Sequence, residues 1–228
     1  MFSSEQRPVG WRSRHDARSR LFGVRELLAG RAPLTDCLWP TGGVLDQGAE
    51  GACVGMAVVN AAASLGIAGA DSHDAALSIY RRAQQLDAMP GEDYTGTSVL
   101  AGMQAATEVG LFGGYLWAFG TRDIAEALLR VGPVIVGVRW LSGMHETGPG
   151  GLVTLTGDDA GQGHALSLVG LKLKGPQGQA GPFFVWENSW GPDYGDGGLG
   201  YVHHRDLSAL LAGIGEAAIP TREPQAAP

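Results

Sequence analysis

From Cys53 to about Leu65 the chain reads CVGMAVVNAAASL, apolar on nearly every side, with no polar stripe beyond Asn60. That pattern predicts a helix buried in the middle of a fold. A second helix is expected after Ser72, a residue suited to an N-cap, through Arg82 to Leu86. A third should follow Thr97 through Ala106, and a fourth should cover Thr121 to Arg130. Beyond that point the pattern changes. PVIVGVRW (133–140), ALSLVGL (165–171), PFFVWE (182–187) and Leu199 to Val202 are short runs rich in Val, Phe and Leu. Gly-rich turns separate them, which predicts an antiparallel sheet. Asp206 to Leu211 adds a short helix, and 221–228 reads as a disordered tail. Helices followed by strands predict an α+β protein of two lobes.

Composition narrows the class without naming the chemistry. A chain of 228 residues, 44% hydrophobic, can bury a sizeable core. Its 37 glycines follow no period and so predict tight turns and close backbone approaches. A net charge of −7 argues against nucleic acid as a partner. No apolar run is long enough to span a bilayer and no leader pattern opens the chain, so no membrane partner is expected and a cytoplasmic location is the default. Two cysteines, Cys37 and Cys53, are too few for a disulfide scaffold or a zinc site. At least one of them is therefore a free thiol.

Met1 to Arg31 has its own balance: Arg7, Arg12, Arg14, Arg18, Arg20, Arg25 and Arg31 against Glu5, Asp16 and Glu26. This reads either as a basic arm for an anionic partner or targeting peptide, or as a strap over the acidic body. Leu21, Phe22, Val24, Leu27 and Leu28 give a strap something apolar to dock. The expected domains are an arm over 1–36 and a body over 37–220, with a helical lobe about 45–120 and a sheet lobe about 121–220.

Cys53 stands where a thiol is activated. It follows Gly48, Gly51 and Ala52 and opens the apolar helix, whose positive end favours a thiolate. A lone cysteine opening a buried helix is also the mark of an inert small hydrophobe. The tract Gln47-Gly48-Ala49-Glu50-Gly51-Ala52-Cys53 resembles the active-site segment of papain-like cysteine peptidases, in which a Gln six residues before the Cys donates to the oxyanion. Gly163-His164-Ala165 resembles the family's base-bearing strand. Glu187-Asn188-Ser189-Trp190-Gly191 and the Gly-rich stretch after it resemble its Asn-Ser-Trp-Gly segment.

The resemblance implies a papain-like two-lobed fold, with a helical N-terminal lobe built on a central catalytic helix and an antiparallel β-sheet or barrel in the C-terminal lobe. It implies Cys53 as nucleophile, His164 as base, Asn188 as the residue orienting that base, and Gln47 with the Cys53 N–H as oxyanion donors. Trp190 would shield the His–Asn bond and wall the leaving-group side. Gly96, Thr97, Val134 and Ala165 would contact substrate backbone and its second side-chain pocket. The likeness extends to Tyr80-Arg81-Arg82, to 91–98 and to Gly132-Pro133-Val134, as in bacterial-type members without a long propeptide. It implies peptide or protein substrates and no cofactor or metal.

Departures are visible as well. Glu50 and Val54 stand where many members have Cys and an aromatic residue, and His164 follows Cys53 at shorter spacing, which implies trimmed loops. Other Cys-His chemistry, a transglutaminase-like or cell-wall amidase activity, is the alternative enzyme. A catalytically silent peptide-binding module is the alternative outside enzymes. His203, His204 and Asp206 suggest metal ligands only weakly, since neighbours in a strand point to opposite faces. Cys37 reads as a buried thiol near the nucleophile loop. Because 1–31 is shorter than the roughly 40 residues below which a chain seldom folds unaided, it is expected to dock as a strap and not to act as an inhibitory propeptide. The full-length protein is accordingly expected to be active without cleavage.

Overall fold

The computed structural model describes residues 7–28, 30–69, 72–87, 89 and 95–223. After a short α1 (Val24–Leu27) and β1 (Cys37–Leu38) comes the helical lobe. Its elements are α2 (Cys53–Ser64), α3 (His73–Leu86) and α4 (Val99–Glu108). α2 is buried all round, as its composition requires, with only Ala63 partly open. Ser72 and Ser98 cap α3 and α4 by accepting from Ala75 N–H and Ala101 N–H, each at 3.1 Å. Part of the loop likened to the family, 91–94, lies outside the described residues.

The rest is β2 (Gly114–Trp117), α5 (Thr121–Arg130), β3 (Val134–Leu141), β4 (Asp159–Lys174), β5 (Ala180–Glu187), β6 (Leu199–His203), α6 (His204–Leu211) and β7 (Glu216–Thr221). One antiparallel sheet runs β2-β7-β3-β4-β5-β6, with β1 also on β4. It is an open sheet edged by β2 and β6, and not a closed barrel. Its centre is buried on two sides. Val134, Val136 and Val138 of β3 face a core shared with α5 and α6, while Ile135 joins Ala165 and Ala218 in the core under α2 and α4.

The domain boundaries shift for the same reason. β2, expected in the helical lobe, pairs with β7 from Gly114–Thr221 to Trp117–Ala218. Thr221, expected to open the tail, is thereby a buried strand residue, and 224–228 lie outside the described residues. The arm docks through Val24 and Phe22 but leaves Leu21 and Leu27 more than half exposed, against expectation. Its arginines reach acids of the body, with Arg25 on Asp123 at 2.7 Å and Arg14 on Asp87 at 2.9 Å. Among the described residues no helix is long and apolar enough to cross a membrane.

Asp87 ties the two helices and the arm together. Its carboxylate accepts from Thr97 Oγ1 (2.5 Å), Ser98 N–H (2.7 Å) and Ser98 Oγ (2.9 Å) besides Arg14, and it is 4% exposed. Asp87→Ala would strand two hydroxyls and an amide in the interior, so it should lower unfolding free energy by about 3 kcal/mol in urea titrations. A loss under about 1 kcal/mol would show that this network is not structural.

Candidate active site

Cys53 is the first residue of α2 and is fully buried. The first-turn amides of α2 have no side-chain cap, so their partial positive charge faces the sulfur. Backbone N–H groups of Ala165 and Gly10 lie against that sulfur. Ala165 follows His164 on β4, and so the packing of α2 on β4 brings thiol and imidazole to one place.

His164 Nε2 lies 2.7 Å from Asn188 Oδ1, which also accepts from Ser189 N–H at 2.8 Å. An oxygen held this way only accepts, so Nε2 carries the proton and Nδ1 keeps its lone pair. Nδ1 has no hydrogen-bond partner among the described residues. Trp190 stacks on the imidazole with ring centroids 4.6 Å apart, and Trp140 meets it edge-on at 4.8 Å. His164 and Asn188 are both sealed from water.

Gln47 is buried beneath Cys53's loop. Ser189 Oγ donates to its Oε1 at 2.6 Å, which turns Nε2 toward Glu50 O (2.7 Å) and Pro8 O (3.2 Å). Pro8 belongs to the arm. Burial pushes the Cys53 thiol up to about 11 and the His164 imidazolium down to about 3. In this closed arrangement both groups are neutral at pH 7.

The arm adds to that burial, running through the groove between the lobes. Arg7 donates to Trp190 O and its guanidinium lies 5.7 Å above the Trp190 ring. Gly10 crosses where a Cβ would overlap Gly51 O, so no larger residue passes there. Trp11 pairs on both sides. Thr97 N–H donates to Gly10 O (2.9 Å) and Arg12 N–H to Thr97 O (3.0 Å) in parallel, while Trp11 N–H donates to Gly163 O (2.8 Å) in antiparallel fashion.

The Trp11 indole lies over Gly137 and Gly163, at each of which a Cβ would collide with it. Its Nε1 donates to Glu216 Oε2 at 2.8 Å. Glu216 pairs across strands with Gly137, and its burial raises the carboxyl to about 7.

Of the expected contact residues, Thr97 offers its backbone to the groove, Gly96 packs on Gly10, Ala165 joins the cluster of Cys53 and Trp11, and Trp190 covers His164. Val134 is a correction. It faces the α5–α6 core, because strand residues alternate and its neighbours Ile135 and Gly137 take the groove side. Cys37 is a second correction. It is half-buried and pairs with Leu171, seven residues or about 23 Å along β4 from His164, with its sulfur on Leu128 O. His203 ends β6 and caps α6, so its ring sits 4.5 Å from that of His204 and not on an opposite face. Among the described residues no group of three or more His, Cys, Asp or Glu is placed to hold a metal.

No family model and no curated protein matches the sequence. Solved structures do. Xylellain, a cysteine protease from Xylella fastidiosa, aligns with a TM-score of 0.68 at 16% identity, covering 97% of this chain and 98% of that one. The fold is papain-like. A procathepsin B from Trypanosoma congolense aligns at 0.66 and 15% identity over 96% of this chain and 89% of its own. Procathepsin L2 proteinase from Tenebrio molitor larval midgut gives 0.64 and 18% over 97% and 81%. On this papain-like fold Trp11, Gly10, Gly137, Gly163 and Glu216 are the groove residues that sequence reasoning missed. Only the small Gly10 beside a large Trp11 hinted at a strand threading a tight space.

The closed groove has a direct consequence for reactivity. With its thiol raised to about 11 and no exposed surface, Cys53 of the full-length protein should alkylate with iodoacetamide more slowly than half-buried Cys37 at pH 7. Peptide mass spectrometry reads both sites, and prompt labelling of Cys53 would mean that the groove opens freely.

Proposed function

We propose that the protein is a cysteine peptidase that its own N-terminal arm holds latent. The observation that carries this reading is an extended peptide strand lying across Cys53, hydrogen-bonded through backbone groups on both sides by Thr97 and Gly163. Main-chain pairing of this kind suits polypeptide substrates. It favours peptide hydrolysis over the amidase and transferase alternatives, which need no such ladder.

In the open groove His164 Nδ1 takes the Cys53 proton as sulfur attacks the scissile carbonyl. Gln47 Nε2 and the Cys53 N–H hold the oxyanion. His164 then protonates the leaving amine, and a thioester remains. Water, deprotonated by His164, attacks the thioester, releasing the acid and returning the thiol its proton. Asn188 keeps the imidazole in the required tautomer throughout.

Direction explains why the arm survives in place. The amine leaves on the side of His164 and Trp190, so the acyl half of a substrate lies toward Thr97, and the substrate runs from Thr97 toward Trp190. The arm runs the other way, with Arg7 at Trp190 and Trp11 at Thr97. Its peptide bonds meet the sulfur reversed. The expectation of a protein active as made is therefore replaced by one of latency.

Cys53→Ala should abolish peptide turnover and Cys37→Ala should keep it, while Gln47→Ala should lower kcat by roughly 10- to 1,000-fold. Equal loss in both cysteine variants, each folded by circular dichroism, would refute the assignment. Latency has a separate test. Trp11→Ala removes an indole whose burial is worth about 3 kcal/mol, which favours the open groove by about 100-fold. Its kcat/KM on a fluorogenic peptide should rise accordingly, and an unchanged value with the fold intact would mean that the arm does not limit access.

A further inference from the structure

Arm and body together build a second cavity, outside the groove. It encloses about 550 Å³ between Arg14, His15 and Arg20 of the arm and Trp117, Phe119 and Gly213 of the body, and none of Cys53, His164 and Trp11 lines it. Resting on the reading above that the arm holds the groove closed, we infer that this cleft binds a small organic anion with a flat apolar body, and that its occupancy reinforces the closed state.

The charged end of the ligand follows from which groups in the cleft are already paired. Asp16 is spent on Arg18, accepting from its Nε at 3.0 Å and its backbone N–H at 2.8 Å, and these bonds hold the carboxyl down at about 2. Glu216, the other acid here, is buried, and its oxygens are taken by Trp11 Nε1 and Arg14 N–H. The Arg14 guanidinium is spent on Asp87 at 2.9 Å. Arg20 and His15 are exposed, and among the described residues neither has an ion pair. An unpaired guanidinium offers the fork that carboxylates and phosphates fit, and His15 adds a ring N–H. On a protein of net charge −7 such a spot gathers anions.

The apolar end follows from the aromatic wall. Phe119 lines the cleft yet is 54% exposed, beside the buried Trp117, and its backbone is fixed by the N–H it donates to Asp123 Oδ2 at 3.1 Å. A flat ring laid on Phe119 takes that surface out of water and gains the geometry of an aromatic pair. Gly213 leaves the room, since a Cβ there would meet nothing within 4 Å. Coupling to the arm follows from the two-part construction. Arg20 belongs to the arm and Phe119 to the body, so a ligand held by both binds the docked arm better than the displaced one. Linkage returns that difference as stabilisation of the closed groove.

The test uses the full-length protein and its Arg20→Ala variant. Indole-3-acetate and phenyl phosphate are the probes, sharing ring and anion and differing in the head group, so the tighter of the two assigns the head as carboxylate or phosphate. Tryptamine supplies a ring without the anion and acetate the anion without a ring. Ligand-observed NMR should show saturable binding of at least one probe with a Kd of about 1 mM or tighter, and binding at least about 10-fold weaker for both controls and in Arg20→Ala. At ten times Kd that probe should slow alkylation of Cys53 by iodoacetamide about 10-fold, read by mass spectrometry against Cys37, while Arg20→Ala labels at the unliganded rate with or without it. Binding of neither probe, equal binding of tryptamine, full affinity in Arg20→Ala, or occupancy that leaves an already slow Cys53 rate unchanged overturns the inference. Prompt labelling of Cys53 in the free protein, with Arg20-dependent binding intact, instead refutes latency while the site stands.

Discussion

The packing of α2 against the middle of β4 is the contact from which the site follows. Both elements are there because of their composition. α2 is built almost wholly of small apolar residues, which lets it lie close to its neighbours, and β4 is buried without a break from Gly163 to Leu171. The helix must start where the strand enters the core, since Cys53 and His164 head these two apolar runs. Asn188 arrives by a second constraint. β5 pairs with β4 so that Glu187 lies opposite Ser167, and the next residue, where the strand ends, turns its amide back to the imidazole. Three residues far apart in the chain therefore meet at one strand end of an antiparallel sheet.

Burial decides the protonation state of that meeting. In the groove as it stands, the loss of water outweighs the amides and the helix end, and thiol and imidazole stay neutral. An ion pair of Cys53 and His164 needs either water or compensating charge. The arm brings Gly10 to the sulfur, while its Arg7 is engaged on Trp190 and its Arg12 on Thr95 O. The arm thus covers the sulfur and also removes the solvent that would stabilise its reactive form. Covering the sulfur and holding it neutral therefore go together.

The sequence carried those elements whose local pattern agrees with their tertiary surroundings. α5 appears over Thr121–Arg130 as expected, and α3 runs to Leu86 from its Ser72 cap. The four residues of the candidate site each sit in a distinctive local context, Gln47 and Cys53 in one tract, His164 before an apolar strand and Asn188 before Ser-Trp-Gly. β7, EAAIPT, was not legible, since Ala and Pro weaken a strand signal and its pairing with β2 and β3 is wholly long-range. Val134 was misplaced by a single position, which in a strand is a change of face. The course of the arm had little local signal beyond the small Gly10 beside the large Trp11. Its arginines dominate the composition of 1–31, while what fixes its path is backbone pairing with Thr97 and Gly163, which no pattern of side chains announces.

The arm is part of the same chain as the groove it fills, and this governs how it can be removed. A tethered segment competes at an effective concentration in the millimolar range for a short flexible link. Here the link is shorter still in effect, because the arm is pinned beyond the groove by Arg14 on Asp87, by Arg25 on Asp123 and by Val24 in the core. A free peptide at micromolar concentration must therefore bind far better than the arm to displace it. The reversed direction limits how well the arm itself binds, since it keeps the Thr97 and Gly163 ladder and the Trp11 pocket but gives the sulfur no correctly presented carbonyl. Scission of the chain between the groove segment and the Arg14 anchor would convert the tethered competitor into a dilute one. That change removes its concentration advantage without altering a single contact in the groove.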